Sequence, residues 1–224
     1  MNSTRPVLVV GASGFVGSRV ARGLAADGRA VLAVARHTLP ERVTVQPSVI
    51  PVLGADPAAQ ADAVREACAR AGVPLPGAVV ASIGGWQKGP NLLDLDPAEW
   101  SATLASHLTA HLDAARALAP LLGPGDPYVV LNGAASREAM AGSGAVSVTG
   151  AGLAMLVQVL RLESRQARTA GGAEPVRFHE LVIDHAVAGD DRNEDPAQTR
   201  APAQVVRALG ELLDDPGAPA VLHV

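Results

Sequence analysis

The sequence predicts an α/β domain in which one doubly wound parallel sheet carries helices on both faces. Short apolar runs alternate along the chain with longer segments that repeat apolar residues every three or four positions, which is typical of strands and helices in turn. Because strands that alternate with helices build parallel sheets, we expect about seven strands in one sheet. With no internal repeat and no second core in the 224 residues, the prediction is a single domain spanning 1–224.

Capping residues and helix breakers set the limits of the predicted elements. Strands are predicted at 7–10, 31–35, 43–53, 78–82, 128–131, 177–183 and 220–224. The first helix is predicted to close at Asp27-Gly28, and the later helices cover 57–71, 97–122, 148–168 and 202–213. Asp96, followed by Pro97, is expected to cap the longest of these.

The first strand leads directly into glycines at three-residue spacing and then into a helix. A strand, a glycine turn, a helix and a second strand form the unit with which Rossmann-type domains hold a dinucleotide. Glycines let the backbone approach the pyrophosphate, and the helix N-terminus offers free N–H groups and a positive dipole end. The alternative is a tight turn without a ligand. The predicted cofactor-binding residues of this turn are Gly11, Ser13, Gly14, Phe15, Val16 and Gly17.

Composition narrows the classes of partner. A net charge of −4 and a pI near 5.8 argue against nucleic acid and against an anionic membrane surface. The single cysteine, Cys68, excludes an internal disulfide and is expected to be a small core residue. The N-terminus lacks a signal-peptide apolar region, and no uninterrupted apolar run has the length of a membrane span. We therefore expect a cytoplasmic protein that does not enter membranes.

Over essentially the whole chain, the order of elements resembles the short-chain dehydrogenase/reductase family. The spacing of Gly11, Gly14 and Gly17 resembles that of the family's extended and atypical branches. The segment 99–122 is similar to the helix after the family's fourth strand, with His107 where the family carries an asparagine. The third similar stretch is the helix after the family's catalytic motif, which here contains Leu153, Leu156, Leu160 and Glu163.

The resemblance implies further cofactor contacts. Ala81, Ser82, Ile83 and Gly84 occupy the stretch that passes the nicotinamide ribose in the family. Asp56 resembles the acidic residue beside the adenine, although it serves equally as a helix N-cap before Pro57.

Arg36 follows the second strand, where NAD-specific sites place an acidic residue. Because a guanidinium pairs with phosphate through two parallel hydrogen bonds, Arg36 favours NADP(H) over NAD(H); the alternative is a surface arginine at a strand end.

The family's catalytic Tyr-x-x-x-Lys pair cannot exist in this chain. The sequence contains one tyrosine, Tyr128, and one lysine, Lys88, forty residues apart. Alignment on the helix leucines puts Val146 at the tyrosine position and Gly150 at the lysine position. The family's serine position falls on Gly133 or Ala134. A positioned acid or base contributes about 10²–10⁴-fold in rate, and ordinary carbonyl reduction would lack this contribution here. Hydride transfer itself remains possible, because it depends on the position of donor and acceptor.

Few side chains can replace the missing pair. His107 is a candidate proton donor, because imidazole titrates near neutrality, and its alternative role is structural. Ser136 is a candidate hydrogen-bond donor to a substrate oxygen, or a turn cap. Asp184 and His185 follow the sixth strand and form a possible Asp–His pair. His111 lies one turn after His107, but with no third ligand in sight we predict no metal site.

Two loops are expected at the carboxyl ends of strands, where open α/β sheets bind ligands. The glycine-rich segment 83–94 carries Trp86 and Lys88, which either line the substrate pocket or stand on an exposed loop. The polar segment 185–201 is either a substrate lid or a solvated loop.

Three functions remain open from the sequence. The first is an NADP(H)-dependent oxidoreductase that acts on a small organic substrate by a non-standard proton route. The second is an NADP(H)-binding sensor or regulator without turnover, and the third is a redox-neutral cyclase, dehydratase or isomerase. We also expect a homodimer or homotetramer through the two long helices, since the helix around 151–162 is apolar on more sides than one sheet face requires.

Overall fold

The computed structural model describes residues 5–54, 57–169, 174–190 and 197–224. Seven parallel strands form one sheet in the order β3-β2-β1-β4-β5-β6-β9, which confirms the predicted fold class. These strands are β1 Val7–Val10, β2 Val31–Ala35, β3 Val49–Leu53, β4 Ala78–Ala81, β5 Pro127–Gly133, β6 Arg177–Ile183 and β9 Val221–His223. Two short strands, β7 Ala186–Val187 and β8 Thr199–Arg200, pair with each other beside it.

The helices connect the strands and cover both faces of the sheet. They are α1 Phe15–Ala26, α2 Glu41–Thr44, α3 Pro57–Ala71, α4 Pro97–Thr103, α5 Ala110–Leu118, α6 Gly144–Thr169 and α7 Pro202–Asp214. A π-helical segment, Leu104–Thr109, joins α4 to α5, and 3₁₀ turns lie at Ala119–Leu121 and Ala134–Ser136.

Alternate residues of each strand pack into two separate cores, one on each face of the sheet. Val7 and Val9 of β1 pack with α1 and α7 on one face, whereas Leu8 and Val10 pack with α3, α5 and α6 on the other. This alternation follows from the two-residue side-chain period of a strand. Cys68 is buried in the second core, where burial raises the pKa of its thiol, and its predicted role as a core residue is confirmed.

Two predicted elements are each replaced by more than one element in the structure. The strand predicted to begin at Val43 begins at Val49, because Val43 instead belongs to the short helix α2 and enters the core from there. The helix predicted over 97–122 is interrupted by the π-helical segment. Its start is as expected: the Asp96 carboxylate accepts a hydrogen bond from the Ala98 N–H at 2.7 Å.

Helix α6 begins four residues before its predicted start and is apolar on several sides. Gly144–Ala167 within it is long and apolar enough to cross a membrane, judged by length and composition alone. The prediction concerned uninterrupted apolar runs, and this segment is not one, because small and polar residues lie between its apolar ones. Four apolar side chains form an exposed stripe along α6, Val148, Met155, Val159 and Leu162.

Candidate functional site

The turn after β1 requires glycine at two positions. Gly11 has φ +77°, and a Cβ added there would lie 2.0 Å from the Ser82 carbonyl oxygen at the end of β4. A Cβ on Gly17 would lie 2.2 Å from the Gly11 carbonyl oxygen. The Gly14 N–H donates to that same oxygen at 2.9 Å. The glycines therefore let the turn fold tightly between β1, β4 and α1.

The N-terminus of α1 suits a dinucleotide phosphate. Gly14 is its N-cap, no side chain caps it, and the first turn contains no acidic residue. The Ser18 hydroxyl, which is buried, donates to the Phe15 carbonyl oxygen. First-turn N–H groups without an anionic side chain next to them form an anion-binding end. The residues present fit the pyrophosphate of a nicotinamide dinucleotide.

A cavity of about 650 Å³ runs from this turn to the carboxyl ends of β4, β5 and β6. Most of the predicted site residues line it, namely Gly14, Phe15, Val16, Ser82, Ile83, Gly84, His107 and Ser136. Gly11 and Gly17 shape the turn beneath it, and Ser13 is exposed on that turn. Ala81 is fully buried in β4, and Asp56 lies outside the described residues.

Three arginines, Arg36, Arg42 and Arg19, lie after β2, on α2 and on α1. Arg36 follows β2, as predicted, and its side chain is exposed. Arg42, on α2, donates to the Ser18 hydroxyl at 3.2 Å and so reaches the first turn of α1. Arg19 stacks on the Phe15 ring at 3.4 Å from its centroid, and burial followed by the charge of Arg42 lowers the pKa of Arg19. The sequence reasoning missed Arg42, because its approach depends on the unpredicted helix α2.

His107 lines the cavity from the π-helical segment and contacts the loop after β4. Its Nε2 lies 2.6 Å from the Gly85 carbonyl oxygen and 3.0 Å from the Gly85 nitrogen, and its Nδ1 lies 3.0 Å from the Ser106 hydroxyl. Both ring nitrogens therefore meet protein groups. The geometry gives His107 a structural contact, and its catalytic role stays a prediction.

His111 has a different environment from His107. It is 2 % exposed, and its Nε2 donates to the Ile83 carbonyl oxygen at 3.2 Å. Burial lowers the pKa of His111 to about 4, against the opposing effect of that hydrogen bond. A neutral, buried imidazole that holds the end of β4 is a structural residue. In the described part of the chain, no group of three or more His, Cys, Asp and Glu side chains is placed to hold a metal.

Val146 and Gly150, at the family's tyrosine and lysine positions, both line the cavity. A Cβ on Gly150 would lie 3.0 Å from the Ser136 Cβ and 3.3 Å from the Asn132 Oδ1. The Ser136 hydroxyl donates to the Gly133 carbonyl oxygen at 2.7 Å. The space beside position 150 is thus filled by Ser136 and Asn132.

A buried polar network supports this end of the cavity. Glu180 of β6 is fully buried and accepts from Asn132 Nδ2 at 2.8 Å and from Arg137 at 2.6 Å. Asn132 Nδ2 also donates to the Gly150 carbonyl oxygen at 3.0 Å. The network joins β5, β6 and α6 where they meet. Sequence reasoning missed it, although a glutamate within an apolar strand was its one available signal.

The predicted Asp184–His185 pair is arranged differently. Asp184 Oδ1 lies 2.9 Å from Nδ1 of His223, so its histidine partner comes from β9. Asp184 and His185 both line the cavity. Farther along the polar segment, Asp190 and Gln198 also line it, and residues 191–196 lie outside the described part of the chain.

The loop after β4 is tied to the start of α6. The Gly89 N–H donates to the Gly142 carbonyl oxygen at 2.7 Å, and the Ser143 hydroxyl donates to the Gln87 carbonyl oxygen at 2.9 Å. Trp86 lines the large cavity. Lys88 lines a second cavity of about 260 Å³ on the other side of Val146.

Comparisons with known proteins agree with this fold. Residues 7–114 match the model of the NAD dependent epimerase/dehydratase family. No curated protein sequence matches the chain.

Among solved structures, the chain is similar to a gluconate 5-dehydrogenase from Burkholderia cenocepacia J2315 in complex with NADP and tartrate. The TM-score is 0.78 at 18 % identity, and the match covers 98 % of this chain and 93 % of that one. A short chain dehydrogenase from the same organism, in complex with NADP, matches with TM-score 0.75 and 21 % identity over 98 % and 87 % of the chains. A short-chain dehydrogenase from Streptomyces avermitilis matches with TM-score 0.74 and 22 % identity over 99 % and 89 %.

These likenesses cover nearly the whole chain, whereas the family match covers residues 7–114, which include the glycine turn. The chain therefore has the fold of the short-chain dehydrogenases/reductases, and residues 7–114 match the NAD dependent epimerase/dehydratase family.

Proposed function

We propose that this protein is an NADP(H)-dependent oxidoreductase that acts on a small carbonyl compound. The observation that carries this proposal is the single cavity that joins the glycine turn and the uncapped start of α1 to the ends of β4, β5 and β6. In open α/β sheets, ligands bind outside the carboxyl ends of the strands. Two of the solved structures with this fold were obtained in complex with NADP, which supports the same choice of cofactor.

The residues of the chain divide the binding of NADP(H) between them. The turn around Gly14 and the start of α1 would hold the pyrophosphate, and Arg36 with Arg42 would hold the 2′-phosphate. When bound, the cofactor supplies the hydride. Close approach of Ser82 and Ile83 to the cavity favours their contact with the nicotinamide ribose.

The test of the cofactor is calorimetric titration with NADPH and with NADH, after any cofactor carried through purification has been removed. We expect tight binding of NADPH, weak binding of NADH, and a loss of at least tenfold in NADPH affinity for Arg36→Ala and for Arg42→Ala. Arg22→Ala, an exposed arginine on α1, is the matched control. Equal losses for the two cofactors would contradict the 2′-phosphate assignment, and no binding of either would contradict the proposed function.

The proton route is proposed to use His107, with Ser136 as a substrate-binding residue. Both line the cavity, whereas Val146 and Gly150 provide no acid or base at the family's catalytic positions. His107→Ala should lower turnover by about 10²-fold while cofactor affinity stays unchanged. His107→Asn separates the roles, because an amide can keep the contact with Gly85 but cannot transfer a proton. If His107→Asn keeps full turnover, His107 is structural.

A redox-neutral reaction is the second candidate, and the space beside Gly150 favours it. Ser136 and Asn132 fill that space, so this end of the cavity has no room for the family's lysine. The matching family is described by epimerase and dehydratase activities, and this description supports the same alternative. Tight NADPH binding together with substrate conversion that leaves NADPH unconsumed would favour it. If NADPH binds but no carbonyl or enone compound is converted, a sensor would be favoured.

We propose a homodimer through α6 and the neighbouring helices. Met155 and Leu162 are 57 % and 58 % exposed on the α6 stripe, and Gly152 packs against Leu108 of the π-helical segment beside it. Contiguous exposed apolar residues on one helix are typical of an interaction surface. Met155→Glu should convert the dimer to a monomer in light scattering, whereas Val45→Glu, an equally exposed valine elsewhere, should not. A wild-type monomer would contradict the proposal.

A further inference from the structure

The second cavity lies next to the large one and shares a wall with it. Val146 lines both cavities, and the loop after β4 borders both, with Gly84 to Trp86 on one side and Gln87 to Pro90 on the other. The second cavity measures about 260 Å³, so it suits a substituent rather than a whole second ligand.

The walls of this second cavity are fixed by hydrogen bonds. Gln87 Nε2 donates to the Thr103 hydroxyl at 3.0 Å, which joins the loop to α4. The bonds from Gly89 and Ser143 described above join the same loop to the start of α6. A cavity whose walls are joined by hydrogen bonds on both sides is preformed, and this lowers the entropic cost of binding a ligand.

The hydroxyl groups in the lining already donate hydrogen bonds to carbonyl oxygens of the protein. Thr103 donates to the Glu99 carbonyl oxygen at 2.9 Å, Ser106 to the Ala102 carbonyl oxygen at 2.8 Å, and Ser143 to Gln87. A hydroxyl has one proton and two lone pairs, so Ser143 remains an acceptor and Thr103 keeps one lone pair beside the bond from Gln87 Nε2. The Ser106 oxygen, in contrast, also lies 3.0 Å from His107 Nδ1. The hydroxyls of the cavity therefore favour a ligand group that donates a hydrogen bond.

The charges of the lining cancel. Of the described residues that line the second cavity, Lys88 and Glu99 carry opposite charges. A carboxylate would meet Glu99, and an ammonium would meet Lys88, so neither is matched by the cavity as a whole. Leu92, Leu95 and Ala145 supply apolar surface between the polar groups.

We infer that the second cavity binds a neutral, hydroxyl-bearing arm of the substrate, whose carbonyl end lies in the large cavity. The inference rests on the proposed function and names the substrate class: an elongated carbonyl compound with an apolar linker and a terminal hydroxyl group. Val146 is the residue that the linker passes.

The test is titration of the protein, with and without NADPH, with four ketones that share one head. They are acetophenone and its para-substituted derivatives with a 4-hydroxybutoxy, a 4-methoxybutoxy or a 3-carboxypropoxy arm. We expect the hydroxyl arm to improve affinity at least tenfold over acetophenone. The methyl ether, which cannot donate, and the carboxylate should each bind about fivefold more weakly than the alcohol.

Two variants locate the arm. Ala102→Phe fills the second cavity from an exposed helical position, and should cost the hydroxybutoxy ketone its tenfold advantage while acetophenone binding stays unchanged. Ala105→Phe, also exposed and three residues away but outside the lining, is the matched control and should change neither. Unfolding temperatures close to that of the wild type confirm that both variants fold.

The inference would be overturned if acetophenone and the alcohol bind equally well or if the carboxylate binds best. It would also be overturned if the two variants have equal effects or if no ketone binds. Cofactor binding is read separately. A protein that binds the alcohol through the second cavity but does not bind NADPH would keep this inference and reject the proposed function.

Discussion

The two ends of the large cavity both depend on glycine, but different neighbours impose the requirement. At Gly11 and Gly17 an added Cβ would run into carbonyl oxygens of the main chain, which cannot move without displacing β1 or β4. At Gly150 the nearest atoms to an added Cβ are the Cβ and Cα of Ser136, at 3.0 and 3.1 Å, and then the Asn132 Oδ1 at 3.3 Å. The end at the glycine turn is therefore closed to any side chain, whereas the other end is only crowded, at 3.0 to 3.3 Å, by Ser136 and Asn132. A fold can keep the first and rebuild the second.

The largest expected effect is at the end of the cavity formed by the glycine turn. Gly11→Ala should destabilise the protein by about 4 kcal/mol, because the left-handed φ and the contact with Ser82 both oppose a Cβ. Gly133→Ala, where a Cβ meets nothing within 4 Å, is the control at the other end of the cavity. Urea unfolding measures both. Equal, small losses would break the distinction between the two ends.

His111, buried behind the cavity wall at Ile83, should give the protein a pH-dependent stability. Its pKa is about 4 in the folded protein against 6.5 unfolded, so the unfolded chain binds the proton more readily between these values. Stability contributed by neutral His111 is complete above pH 6.5 and is lost as the pH falls toward 4. Between pH 7 and pH 5 the loss should be about 2 kcal/mol. His111→Gln should remove this part of the urea-unfolding difference, and an unchanged pH dependence would refute it.

The far end of the cavity should tolerate repacking. Gly150→Ala alone should cost about 1 kcal/mol, since its Cβ crowds Ser136. In a Ser136→Gly background the same change should cost less, because the contact with the Ser136 Cβ is gone and alanine is the better helix former, while the Cα of residue 136 and the Asn132 Oδ1 still lie close. A double-mutant cycle in urea measures the coupling. Additive effects would show that the backbone, rather than the Ser136 side chain, limits position 150.

The smallest expected effect is on the stability of the core, away from the cavity. Tyr128 is fully buried, and its hydroxyl has no hydrogen-bond partner among the described residues. Burial raises the pKa of Tyr128, so the phenol stays protonated. Tyr128→Phe should stabilise the protein by about 1 kcal/mol, since an unpaired buried hydroxyl is removed. A comparable loss of stability on thermal or urea unfolding would contradict this.

Sequence reasoning predicted the fold well where local signals agree with the tertiary structure. β6 lies at Arg177–Ile183 as predicted, and α3 covers the predicted 57–71, because strong apolar runs and clear breakers mark both. It failed where contacts distant in sequence decide. The pairing of β7 with β8 depends on two-residue strands, and the π-helical segment carries no signature in an otherwise regular helical pattern.

The candidate site divides in the same way. The glycine turn was predictable, because it depends on residues that lie close together in the sequence. Pairing of Asp184 with His223, and of Glu180 with Asn132 and Arg137, joins residues that are far apart in the chain. No spacing rule within one sequence reveals such partners.

The loop after β4 forms walls of both cavities, and this shared wall links their occupants thermodynamically. If a molecule in one cavity restricts the loop, a molecule in the other meets a loop that has already lost part of its freedom. The two affinities must then change by the same factor, whichever molecule binds first. Cofactor and substrate arm would thus bind cooperatively without touching each other.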